Sequence, residues 1–298
     1  MGEIKIFRLK DNSVKELEGH SATIEKSLQV LIENNLESFL GVTLLVSEYG
    51  TGKKHGGRID TLGIDENNCP VIIEYKRAIN ENVINQGLFY LDWLLDHKAE
   101  FQLLVLKKAG QKIADAIEWV NARLICIAGD YTKYDTYAVQ QINRNIELIR
   151  YKKYEDLMLL ELVNTVTEQE SDTEKPKQIK YSTVAELLEK ASVHVKDLYE
   201  ALKSYLMNLG EDVQIKELKY YFAFKKIRNF ASVEIHPQSQ VITLYVHINP
   251  DTVKLEKDFT RDVRKIGHLG TGDLEIKIKS SDDLEKAKPL LLKSYELS

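Results

Sequence analysis

The chain has 298 residues, 43% of them hydrophobic and 29% charged, which is ample for real cores and longer than one typical domain. A net charge of −5 gives no global pull toward nucleic acid, and two cysteines, Cys69 and Cys126, are too few for a disulfide framework or a cysteine zinc site. No segment approaches the roughly 20 apolar residues of a membrane span, so the expectation is a cytoplasmic two-domain protein with no membrane partner.

In chain order, residues 3–9 alternate as a strand. Apolar residues at Ile24, Leu28, Leu31, Ile32 and Leu36 recur at helical spacing, with Glu25 beside the stripe. Residues 43–49 read as a strand, GTGKKHGG as a glycine-rich loop, and RIDTLGI and VIIEYK as two strands joined by a polar turn. A helix is expected over about 80–96, a strand over 101–107 (FQLLVLK), a helix at IADAIEWV and a buried strand over 123–128. A tyrosine-rich helix (131–142), a strand at IELIRY and a short helix at YEDLMLLELV complete the first half. This half is expected to be an α/β domain spanning residues 1–164.

Residues 165–178 hold many charges and Pro176, the composition of a linker. The charge balance changes across it: residues 1–176 carry a net −7 and residues 177–298 a net +2. After it, one long amphipathic helix ending at Gly210 is followed by strands at QIKELKYYFAFKK, FASVEIH and QVITLYVHI. A short helix at DFTRDVRKI, the loop GHLGTGD, a strand LEIKIK and a last helix complete a smaller α+β domain over 179–298.

The chemistry concentrates between Gly56 and Lys76. Successive side chains of a strand alternate faces, so Glu74 and Lys76 share one, and pairing of the two strands brings Asp60 to it. Two carboxylates and an amine at one spot are the minimum for holding a divalent metal and an attacking water. The competing reading is a solvated hairpin face with a cross-strand ion pair. GTGKKHGG lacks the spacing and the following helix of a phosphate-binding P-loop.

The order helix, three strands, helix, strand, helix, strand, with Asp60, Glu74 and Lys76 on the second and third strands, resembles the PD-(D/E)XK nuclease superfamily over about residues 20–130. The run IEKSLQVLIENNLESFLGV with RIDTLGID and EYKR is similar to the nuclease domain of the archaeal and actinobacterial mismatch endonucleases. Ile59 stands where the superfamily usually has Pro. The resemblance implies a restriction-endonuclease-like sheet and metal-dependent phosphodiester hydrolysis, with nucleic acid, DNA foremost, as partner. It implies Mg²⁺ or Mn²⁺ on Asp60, Glu74 and the Tyr75 backbone carbonyl, with Glu25 as an extra acidic ligand and Lys76 acting on the water or the phosphate. Gln86 and Tyr90, one helical turn apart, match the QxxxY pattern of the RecB-type branch, where such residues support the site. Lys53, Lys54, Arg58 and Arg77 surround the site in sequence and suit a phosphate backbone. Trp93, Tyr131, Tyr134 and Tyr137 are either core or stacking surfaces for unpaired bases. A homo-oligomer is compatible with all of this, as is a non-catalytic binding module on the same scaffold.

The C-terminal half resembles a small domain family of unassigned function sometimes labelled a predicted transport protein. Its GHLGTGD loop reads as a turn before an anion-binding nest, and Lys225, Lys226 and Arg228, beside Tyr220 to Phe224, form its best basic-aromatic patch.

Overall fold

The computed structural model describes residues 4–20, 25–52, 56–76, 83–166 and 183–298. The chain is mixed α/β and divides into two compact units, Met1–Ser171 and Asp172–Ser298.

In the first unit a hairpin of β1 (Ile6–Lys10) and β2 (Ser13–Leu17) precedes the main sheet. Helices α1 (Glu25–Glu33) and α2 (Leu36–Leu40) follow, and α2 ends at Gly41, whose φ of 63° lets the chain turn into the sheet. The sheet runs β3 (Val42–Gly50), β4 (Arg58–Asp65), β5 (Pro70–Lys76), β6 (Arg123–Ala128), β7 (Asn145–Tyr154), β8 (Leu157–Val166), in that spatial order. β5, β6 and β7 are parallel and the other pairs antiparallel. The β5-to-β6 connection holds α3 (Val83–Asp96), α4 (Lys98–Ala109) and α5 (Gln111–Asp115), and α6 (Lys133–Gln140) joins β6 to β7. The all-apolar β6 strand RLICIA after its arginine fits a central position covered on both faces. α3 packs so closely on it that a Cβ at Gly87 would lie 2.5 Å from Leu124.

A buried ion cluster ties the closed end of the β4–β5 hairpin to the parallel strands. Arg123 Nη1 donates to both carboxylate oxygens of Glu147, at 2.7 and 2.9 Å, and its Nε lies 3.1 Å from Asp65. All three side chains are 3% exposed or less. Asp65 also accepts the N–H groups of Asn67 and Cys69, each at 2.9 Å, which shapes the turn between β4 and β5.

The second unit contains α7 (Val184–Glu189), α8 (Val193–Met207) and a wholly antiparallel sheet ordered β13-β14-β12-β11-β10-β9. Its strands are β9 (Gln214–Glu217), β10 (Phe222–Lys225), β11 (Asn229–His236), β12 (Val241–Val246), β13 (Thr260–Asp262) and β14 (Leu274–Ile278), and α9 (Ser281–Leu297) closes it. Residues of the three helices and of one sheet face, among them Leu202, Phe230, Leu244, Ile276 and Leu291, form its core. Ser294 of α9 donates to the Phe230 carbonyl at 2.6 Å and accepts the His247 N–H at 3.0 Å, fixing the helix on the sheet.

Several elements differ from the sequence expectation. The run FQLLVLK lies in helix α4, where Phe101 and Val105, one turn apart, are buried while Leu103 and Leu106 are 48% and 39% exposed. A short apolar run has no period of its own, and its flanks of Ala, Glu, Gln and Lys favour a helix. YEDLMLLELV is not a helix but mostly β8. Glu155, at a φ of 54°, and Asp156 make a two-residue turn, and pairing with β7 overrides the helix propensity of Leu, Met and Glu. IADAIEWV splits into α5 and a single 3₁₀ turn at Trp119–Asn121. The long helix of the second unit is interrupted at Ser192, whose hydroxyl caps α8 by accepting the Val195 N–H. QIKELKYYFAFKK forms two strands, and DFTRDVRKI contributes β13 instead of a helix. The expected linker begins inside β8, and its residues 167–178 lie outside the described ones.

Arg123→Ala would leave Asp65 and Glu147 buried without their guanidinium. Urea denaturation is expected to show a loss of about 3–5 kcal/mol. A loss below about 1 kcal/mol, the value of an exposed pair, would show that the cluster is not the clamp described.

Candidate active site

β4 and β5 pair from Ile64↔Pro70 through Gly63↔Val71 and Leu62↔Ile72 to Thr61↔Ile73, and there the ladder stops. One residue further, Asp60 stands opposite Glu74, and side chains take over the backbone bonds. The Asp60 N–H donates to Glu74 Oε1 at 3.1 Å, and the Tyr75 N–H donates to Asp60 Oδ2 at 3.2 Å. Glu74 is fully buried, and its Oε2 has no hydrogen-bond partner among the described residues. Burial, and then the Asp60 carboxylate, push the Glu74 carboxyl up to about 9. Burial also raises Asp60, against the lowering by the Tyr75 N–H and the Lys76 ammonium.

Lys76 lies on the same strand face two residues beyond Glu74, and its Nζ reaches Glu25 Oε1 at 3.5 Å. The structure therefore brings Asp60, Glu74, Lys76 and Glu25 together. Glu25 serves Lys76 rather than making a third carboxylate of a cluster. Among the described residues no group of three or more His, Cys, Asp or Glu is arranged to hold a metal ion. The pair still fits one: Asp60 and Glu74 are hard oxygen donors, and a buried carboxylate oxygen without a donor is what a divalent cation satisfies.

Tyr90 and Gln86 act one step away. The Tyr90 hydroxyl accepts the Arg58 N–H at 3.1 Å and the Gln86 Nε2–H at 3.2 Å, so this pair fixes the start of β4. The contact depends on Gly57, where a Cβ would lie 2.5 Å from the Tyr90 ring. The Arg58 side chain is 66% exposed and pairs with Glu48 at 2.6 Å. Lys53, Lys54, His55 and Arg77 lie outside the described residues. Trp93 and Tyr131 are core: Trp93 stacks on His97 and packs against Tyr49, and the Tyr131 hydroxyl donates to the Cys126 carbonyl. Tyr134 and Tyr137 are exposed on α6.

Sequence reasoning missed the residues that hold Asp60 in place. α1 lies against β4 and β5 and carries Glu25, Gln29 and Glu33 one turn apart. Gln29 Nε2 donates to the Asp60 carbonyl at 2.8 Å and to Glu33 Oε1 at 3.0 Å. Glu33 also accepts the hydroxyls of Thr61, at 2.5 Å, and Ser47, at 3.0 Å. The spacing of 25, 29 and 33 beside an apolar stripe was the available signal. Glu48 gave none. It stands opposite Asp60 between the pairs Ser47↔Thr61 and Tyr49↔Ile59, with a φ of 56° inside a strand. A hydrogen bond from Lys26 holds its carboxyl below the ordinary range.

The second unit offers less. The amide of Thr271 in the GHLGTGD loop donates to Ser232 Oγ at 3.0 Å, and His268 stacks on Tyr245 at 4.3 Å, so the loop binds its own sheet. Of the basic-aromatic patch, Lys225, Phe222 and Phe224 are buried, Lys226 and Arg228 are half-buried and Tyr220 is exposed.

A carboxyl raised from 4.5 to about 9 takes up a proton on folding, so its contribution to stability falls as pH rises between those values. Glu74→Gln is expected to flatten that fall in EDTA and to raise Tm at pH 8 by about 3 °C or more, the shift ~1 kcal/mol gives a unit of this size. A variant that melts below wild type at pH 8 would show that Glu74 is not held under strain.

Residues 184–298 match the family described as a domain of unknown function (DUF5655). An uncharacterized protein of Haemophilus influenzae is 29% identical over 303 residues, covering 97% of this chain and 98% of the relative. No solved structure matches the chain. The comparisons thus give the second unit a family, a domain of unknown function, and the whole chain a distant full-length relative.

Proposed function

We propose that the first unit is a metal-dependent nuclease of the PD-(D/E)XK type, with a restriction-endonuclease-like sheet, that hydrolyses phosphodiester bonds in DNA during repair or defence. The observation that carries the reading is the parting of β4 and β5 at Asp60 and Glu74, where a fully buried carboxylate keeps one oxygen unmet beside Lys76. Burying ionisable groups in this way is costly for a structural hairpin and useful for a site that receives a cation.

Asp60, Glu74 and the Tyr75 carbonyl would hold Mg²⁺ or Mn²⁺, which supplies a more acidic bound water and a counter-charge for the phosphate. Asp60 is oriented from two sides, through its own carbonyl by Gln29 and through its carboxylate by the Tyr75 N–H. Lys76, steadied by Glu25, offsets the charge that develops on the phosphorus oxygens or orients the attacking water. Tyr90 and Gln86 fix the strand two residues before Asp60. The second unit would bind substrate or a partner.

A second reading, a nucleic-acid-binding module without catalysis, is favoured by one observation: only two acidic side chains, not three, are placed to hold a metal among the described residues. Cleavage assays separate the two. Single-stranded, branched and mismatched DNA are expected to be cut in Mg²⁺ or Mn²⁺. Glu74→Ala and Lys76→Ala are expected to lower the rate by about 100-fold or more, the scale of losing a transition-state charge contact. Cutting that survives both substitutions would exclude this site. Binding without cutting under every metal would support the module.

A further inference from the structure

We propose that Lys26 and Arg58 form a seat for one backbone phosphate of a nucleic acid, and that Glu48 occupies this seat until the phosphate displaces it. The inference rests on the nuclease reading and adds a binding subsite and its gate.

By strand register, Glu48, Asp60 and Glu74 stand in one row across β3, β4 and β5. Arg58 is two residues before Asp60 on β4, so it shares the strand face of the Asp60 carboxylate. Lys26 follows Glu25, the partner of Lys76, on α1. The seat is therefore next to the site on two independent elements. Glu48 bridges its two cations: Oε1 lies 2.6 Å from Lys26 Nζ and Oε2 2.6 Å from Arg58 Nη1. A carboxylate with one oxygen on each cation offers the same acceptors as two non-bridging phosphate oxygens. Arg58 and Lys26 are 66% and 52% exposed, so an incoming strand can reach both.

The backbone supports a gating role. Glu48 adopts a φ of 56°, a conformation that a residue with a Cβ takes at a cost, in the strand that faces Asp60. The ladder pairs Ser47↔Thr61 and Tyr49↔Ile59 on either side fix that backbone, which presents the carboxylate to both cations. When a phosphate takes over the cations, Glu48 loses both partners and only its side chain has to move. Glu48 is also a negative group beside a site for a negative substrate, and Lys26 and Arg58 mask that charge only while they hold it. The guanidinium fork matches phosphate as it matches carboxylate, and a nucleic-acid strand adds contacts outside the seat and the release of its counterions, which sets the direction of the exchange.

The experiment measures binding of a fluorescein-labelled oligothymidylate to the full chain in EDTA over a range of salt. Glu48→Gln is expected to tighten binding about threefold or more, the worth of an exposed ion pair. The double variant Lys26→Met, Arg58→Met is expected to weaken binding and to reduce the salt slope by about 0.7, for the one phosphate of a single strand that the seat holds. The deciding arm combines all three substitutions. If Glu48 acts by holding the two cations, its removal gains nothing once they are gone. A gain that persists in that background would reduce Glu48 to a general repulsive charge and overturn the seat, as would a double variant with the affinity and slope of wild type. Glu48→Asn, which tolerates a positive φ, checks that the effect follows charge and not strand damage. If the wild-type chain cuts DNA in Mg²⁺ while these variants bind as it does, the seat falls and the nuclease reading stands. If the wild-type chain neither binds nor cuts, both fall.

Discussion

Where β4 and β5 part, the backbone N–H groups of Asp60 and Tyr75 are satisfied by carboxylates of the facing strand. The candidate site of the first unit follows from that arrangement. It lets β4 and β5 part without orphaned amides, and the gap that opens is lined by acidic side chains. It also commits Glu74 to a buried position with one oxygen unmet, an arrangement stable only if the rest of the sheet holds the strands in register. The Arg123, Asp65 and Glu147 cluster does so at the other end of the hairpin. The hairpin is thus tied where it turns and open where it divides.

The second unit is built on different terms. Its antiparallel sheet buries one face under three helices, and its glycine-rich loop hydrogen-bonds and stacks on its own strands. The buried Lys225 is integrated into that sheet instead of being offered to solvent. Residues 184–298 of this unit match a domain family of unknown function.

How much was legible depended on periodicity. Asp60, Glu74 and Lys76 could be read because strand side chains alternate strictly and a polar turn fixed which strands pair. β6 was legible on other grounds, as a buried apolar run. Legibility failed where local sequence and tertiary context disagree. Phe101 to Lys107 has no period, and only the burial of Phe101 and Val105 one turn apart distinguishes helix from strand. The leucines of β8 favour a helix until β7 offers them a partner. Within the site, Tyr90 was read as a site residue, and its hydroxyl is bound to the Arg58 amide through the space left by Gly57. Glu48 was invisible because its position depends on an irregular backbone that composition does not encode.

Helix α1 has a consequence of a mechanical kind. Its side chains engage the sheet like the teeth of a cog: Glu25 meets β5, Lys26 meets β3, Gln29 meets β3 and β4, and Glu33 meets β3 and β4. One inserted residue turns the remainder of a helix by about 100° and advances it about 1.5 Å. Such an insertion near the start of α1 would disengage all the teeth on one side of it at once, although none of the strands had changed. The helix is therefore a timing element: point substitutions remove its contacts singly, while a change of length removes them together.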